Sequence, residues 1–161
     1  MTPRRIITPV TLAEASYEAV AVAATLAAAL DAELVLAGIA PAALPDPLLD
    51  TPDVERLTQQ VREQELLDRL IAERLEDVAG ALPRKLHLRS LRTSGPVGDA
   101  LVAAAREERA DLIVVPILRE SELAHLVHDH VDRFVLHHSD VPVLVVPVGS
   151  RRPSHLNGDT R

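Results

Sequence analysis

The sequence predicts one α/β domain built as a doubly wound, five-stranded parallel sheet with helices on both faces. Three observations predict it. Short apolar runs alternate with helical patterns in the order β-α-β-α-β-α-β-α-β, and strands separated by helices pair in parallel through right-handed crossovers. The run DLIVVP at residues 111–116 is continuously apolar, as a strand buried on both faces must be. The chain has 161 residues with 47% hydrophobic and 25% charged, enough for a full core in one domain.

The elements follow in order. RRIITPV is a short β-branched run and reads as a buried strand. Thr11 and Glu14 stand at capping-box spacing, which predicts a helix from Glu14 to Asp31 through an alanine-rich segment. AELVLAGIA is the second strand, and the prolines of PAALPDPLLDTPD then break any regular element. From Pro52 to Leu82 the pattern is helical, with Leu67, Ile71, Leu75, Val78 and Leu82 at three- and four-residue steps. RKLHLRSLRTS places Leu86, Leu88 and Leu91 among polar residues, as an outer strand does. Gly95 and Pro96 open a third helix, DLIVVP is the fourth strand and ends before a loop beginning after Val115, and a helix over Asp129–His138 leads into VPVLVVPV. The domain is read as 1–148, with 149–161 a polar tail expected to be disordered.

Composition excludes several function classes. Aromatics are 1% of the chain, too few for base-stacking platforms, and a net charge of −7 repels a phosphate backbone, so nucleic acid is not expected as a partner. There is no cysteine, hence no disulfide, thiolate nucleophile or cysteine-ligated zinc. MTPRRIITPV lacks the apolar stretch of a secretory signal, and the uncharged run Ala19–Leu30 is too short to span a bilayer. A cytoplasmic protein without membrane partners is the expectation.

Two segments carry a family resemblance. GPVGDALVAAAREERADLIVV resembles a helix–strand passage of the universal stress protein family, and VDRFVLHHSDVPVLVVP resembles that family's closing helix and strand. The resemblance covers about residues 4–148, and the two anchors share one register without a gap. It implies a Rossmann-like sheet of strand order 3-2-1-4-5 and a homodimer paired through the last strand.

It also implies where nucleotide would bind. ATP-binding members carry G-x-x-G, nine residues, then glycine followed by Ser or Thr. Carried over, the three glycines fall on Pro116, Arg119 and Asp129, and the hydroxyl residue on His130; the aspartate that ends the family's first strand falls on Thr11. All five positions depart from the pattern. Proline has no amide hydrogen for a phosphate oxygen, and Arg119 brings bulk where close backbone approach is needed. A carboxylate at Asp129, at the start of the last helix, caps the amides that an anion would use. Its repulsion of a triphosphate at about 4 Å is about 4 kcal/mol at surface-like dielectric, before screening. The sequence thus reads as a family member without bound cofactor and without ATP. Arg119 keeps open the alternative of a rearranged phosphate loop.

HLVHDHVD is the other unusual feature. His125 and Asp129, and His128 and Asp132, are four apart, so His128 and Asp132 with His125 form a candidate divalent-metal set if the helix is continuous. The plainer reading is exposed polar residues, with Asp132 and Arg133 on a solvent face. His137 and His138 suit the negative end of the last helix. No nucleophile elbow is present, and neither Ser121 between Glu120 and Glu122 nor Ser94 with Asp99 has an evident base, so no enzyme is read here. Finally, VPVLVVPV is apolar on both faces yet belongs at a sheet edge, an aggregation hazard unless covered. Pairing of Val143, Leu144, Val145 and Val146 with a second copy would cover it, bounded by the donor-less Pro142 and Pro147; another protein partner is the alternative.

Overall fold

The computed structural model describes residues 2–42, 54–117 and 131–148. Its elements are β1 (Arg5–Val10), α1 (Ala15–Leu30), β2 (Glu33–Ala40), α2 (Val54–Ala81), β3 (Leu88–Ser94), α3 (Val97–Glu107), β4 (Leu112–Ile117), α4 (Val131–His138) and β5 (Val143–Pro147). The strands form one five-stranded sheet of order β3-β2-β1-β4-β5, all parallel, as the sequence predicts.

Alternation along the strands divides the core in two. Ile6 and Val10 of β1 and Leu34 and Leu36 of β2 face the layer containing α1. Ile7, Val35 and Ala37 face the layer containing α3 and Val135 of α4. The α1 face is built from alanines, with Ala19, Ala23 and Ala27 at four-residue steps and each almost fully buried. Such small side chains bring the helix close to the sheet, and the packing compensates for the scarcity of aromatics. α2 buries Ile71, Leu75 and Val78 from its C-terminal half. Gly38 of β2 permits that approach, since a Cβ there would meet Ile71 Cγ2 at 3.0 Å. Gly98 of α3 does the same for α4: a Cβ would stand 2.8 Å from the Phe134 ring.

Two local expectations need correction. The capping box does not form: Thr11 Oγ1 accepts from the Ala13 amide at 3.2 Å, two residues on instead of three. Glu14 is the N-cap of α1 and makes no side-chain capping bond, so the helix begins at Ala15. A two-residue hydroxyl turn competes with a cap for the same oxygen, and here the turn wins. Second, β4 does not stop at Val115 but runs through Pro116 to Ile117. The leucines in and just before β3 divide between the two layers. Leu86 and Leu88 pack with the α1 layer and Leu91 with the α3 layer, because an odd spacing reverses side-chain direction in a strand.

The expected helix over Asp129–His138 is described from Val131, and the connector 43–53 and the tail 149–161 lie outside the described residues. No helix among the described residues is long and apolar enough to cross a membrane.

Candidate functional site

In a sheet of this order, the strand connections turn to opposite sides between β1 and β4, and ligands of doubly wound proteins sit beyond the C-terminal strand ends at that point. Thr11 follows β1 there, and Pro116 is the penultimate residue of β4. The structure therefore brings these two sequence-predicted positions to the same end of neighbouring strands. Arg119, Asp129 and His130, with which they were grouped, lie outside the described residues.

The β1 end is occupied by protein groups. Arg74 of α2 donates from Nη1 to the Thr11 carbonyl at 2.9 Å. The same guanidinium lies over the Tyr17 ring, 5.0 Å from its centroid, a cation–π arrangement that holds α2 against the start of α1. Arg74 is 63 residues from Thr11 along the chain, and no local motif announces the contact. On the neighbouring strand, Gln64 Nε2 donates to the Pro41 carbonyl at 3.4 Å, so α2 also leans on the chain leaving β2.

Pro116 brings no amide hydrogen to the crevice, and its position within a strand fixes it in the sheet rather than in a phosphate-wrapping loop. The third helix enters through Gly95, whose φ of 127° is open to glycine, and whose amide donates to the Ala40 carbonyl at 3.0 Å. That bond ties the α3 entrance to β2. The N-cap of α3 is Pro96, which makes no side-chain capping bond.

The metal reading divides in the same way. Asp132 lies half-buried in the first turn of α4, while His125 and His128 are outside the described residues. Among the described residues no group of three or more His, Cys, Asp or Glu side chains is placed to hold a metal ion. His138 closes α4 as expected. Its Nδ1 lies 2.8 Å from the Phe134 carbonyl, and its ring stacks on Phe134 with centroids 4.0 Å apart, which makes it part of the helix end. The residues Val143–Val146 lie on β5, at the sheet edge, with one side paired to β4 and no strand on the other among the described residues.

The family model described as "Universal stress protein family" matches residues 2–147. The chain belongs to the universal stress protein family. Solved universal stress proteins share its fold. The structure of universal stress protein UspA from Lactobacillus plantarum is 18% identical, with a TM-score of 0.65, over 88% of this chain and 96% of that one. Hypothetical protein MJ0577 is 20% identical, with a TM-score of 0.61, over 96% of this chain and 100% of that one. A universal stress protein in complex with cAMP is 22% identical, with a TM-score of 0.55, over 91% of this chain and 98% of that one. No curated protein matches the chain. At these identities the likeness to solved structures carries the fold, and the ligand of this universal stress protein has to be argued from its own residues.

Proposed function

We propose that this universal stress protein does not bind ATP and acts without turnover, as a homodimeric stress-response or regulatory module that presents a surface to another protein. The observation that carries the reading is Pro116 within β4 at the switch point, where a phosphate would need a backbone donor that proline lacks. Arg74 supports it from the other strand, because its guanidinium is already bound to the Thr11 carbonyl and stacked on Tyr17. The departures at Arg119, Asp129 and His130 support it from the sequence.

The β5 edge supports the homodimer. Val143, Leu144 and Val145 leave apolar surface on a strand whose outer side meets no other strand among the described residues, a combination that monomers avoid unless the edge is covered. A second copy offers the same strand about a two-fold axis, so one patch satisfies both partners.

The test is direct. Protein purified from its own cells is acid-extracted for nucleotide, and its melting is followed with ATP–Mg²⁺ and with cAMP, the ligand of one solved family structure. The expected outcome is no stoichiometric nucleotide and no ligand-dependent melting shift. Near-stoichiometric ATP in the extract would overturn the reading. Sedimentation at micromolar concentration tests the dimer separately.

A further inference from the structure

The central strand β1 is zipped unequally to its two neighbours. Against β2 it keeps register at six consecutive pairs, from Arg5↔Glu33 to Val10↔Gly38. Against β4 it keeps only Ile6↔Leu112 and Ile7↔Ile113. The cause can be read from the backbone. Glu33 N donates to Arg4 O on the β2 side and Asp111 N to Arg5 O on the β4 side, so alternation turns the polar groups of Arg5, Ile7 and Pro9 toward β4. On β4, Ile113 N donates to Pro142 O and Ile117 O accepts from Val148 N, both toward β5. The groups of Leu112, Val114 and Pro116 therefore face β1. In this register Val114 O awaits a donor from residue 9, and the carbonyl of residue 9 awaits one from residue 116. Both positions are proline, and neither has an N–H. Two successive ladder bonds are chemically impossible at the centre of the sheet, where Val114 is fully buried.

The other end of the same seam is reinforced. The Asp111 carboxylate accepts from the Arg4 amide at 2.9 Å and the Arg5 amide at 3.0 Å, beside the Asp111 N to Arg5 O bond of 2.8 Å. The Arg5 guanidinium also donates to the Glu108 carbonyl and to Glu33. One end of β1–β4 is thus latched by charge-assisted bonds and the other is left without rungs. The helix crossing both strands, α1, meets them mainly with alanines, together with Val20, and the shallow relief of alanine resists relative movement less than interlocked large side chains.

We propose that the β1–β4 seam is a hinge, pivoting at Asp111 and opening between Pro9 and Pro116. Opening widens the crevice at the switch point, and the first ladder bond it meets is the one that the register gives from Val114 N–H to Ile7 O. A ligand or partner seated there can move the ends of β4 and β5 away from that of β1 without the cost of the two rungs that the prolines remove, and the displacement reaches the outer strand β5. The hinge does not depend on which ligand, if any, the crevice takes.

Amide hydrogen exchange of the full chain tests it. Val114 and Val115 are both fully buried, but Val114 N–H makes the last rung of the seam, to Ile7 O, beside the gap that opens, whereas Val115 lies inside the unbroken β4–β5 ladder. The Val114 amide is expected to exchange at least about tenfold faster than the Val115 amide. In Pro9→Val/Pro116→Val, which restores both donors, Val114 exchange is expected to slow by at least about tenfold while Val115 changes little. The new amides at 9 and 116 should be protected as well. Equal rates at Val114 and Val115 in the natural sequence would overturn the hinge, as would a Val114 rate indifferent to the double substitution. Should the double variant not fold, Pro116→Val alone restores one rung, and the natural-sequence comparison stands without any variant.

Discussion

The two edges of the sheet face the same hazard and meet it differently. β3 is an edge strand with Arg89, Ser90, Arg92 and Ser94 exposed along it. Long charged side chains on an edge oppose docking of another strand, because pairing would bury or crowd them. One of them is held, since Arg89 pairs with Glu108 at 2.9 Å. β5, at the opposite edge, reads VLVVP, with Leu144 at 37% exposure and no charge within the strand. The difference teaches that an edge is an address as well as a liability. One side is guarded, and the other is kept fit for pairing, with prolines at 142 and 147 bounding the usable length.

The largest expected effect breaks the apolar edge. Leu144→Asp places a charge on β5 and should weaken dimerisation by about 2 kcal/mol or more, roughly thirtyfold, measured by sedimentation equilibrium. Its far-UV circular dichroism should match that of the natural chain, because Leu144 is exposed. A natural chain that stays monomeric at high micromolar concentration would remove the contrast between the edges.

The next separates the half-sheet bearing β3 from the half bearing β5. Asp111→Ala deletes the carboxylate that accepts two β1 amides, and should lower unfolding free energy by about 2 kcal/mol in denaturant titration. A change below a few tenths would show that the latch is not what joins the halves.

A smaller effect of opposite sign is expected in the central strand. Thr8 is fully buried, and its hydroxyl has no hydrogen-bond partner among the described residues. Thr8→Val keeps the shape and removes the unsatisfied group, and should stabilise the fold by about 1 kcal/mol. A loss of stability would mean that the hydroxyl is satisfied in solution.

The smallest concerns the guarded edge. Arg89→Ala breaks an ion pair between a half-exposed guanidinium and a mostly buried carboxylate and should lower stability by less than about 1 kcal/mol. Combined with Arg92→Val it should raise concentration-dependent association, visible as growth in light scattering. No growth would mean that the arginines are not what protects β3.

Much of this architecture was legible from periodicity. The continuous apolar run at DLIVVP became β4, buried at Ile113, Val114 and Val115, and the three- and four-residue steps of α2 delivered Ile71, Leu75 and Val78 to the core. Caps and contacts were less legible. Thr11 and Glu14 have capping-box spacing, but spacing cannot decide which amide a short hydroxyl reaches, and the carbonyl of Thr11 is engaged by an arginine from another helix. Arg74 sits among other charged residues of an amphipathic helix, and nothing in its neighbours separates it from those that face solvent. The candidate site was therefore readable in its departures from the family pattern and unreadable in what fills the space.

The sequence by itself determined the element order, the parallel pairing that this order forces and the loss of two amide donors at Pro9 and Pro116, since these depend on residue type and on short-range periodicity. Only the tertiary structure decided the register that sets the two prolines against each other, that Asp111 latches the far end of their seam and that Arg74 closes on Thr11. Those relations join residues far apart in the chain, and their geometry exists only once the sheet has fixed register and the helices have packed on it.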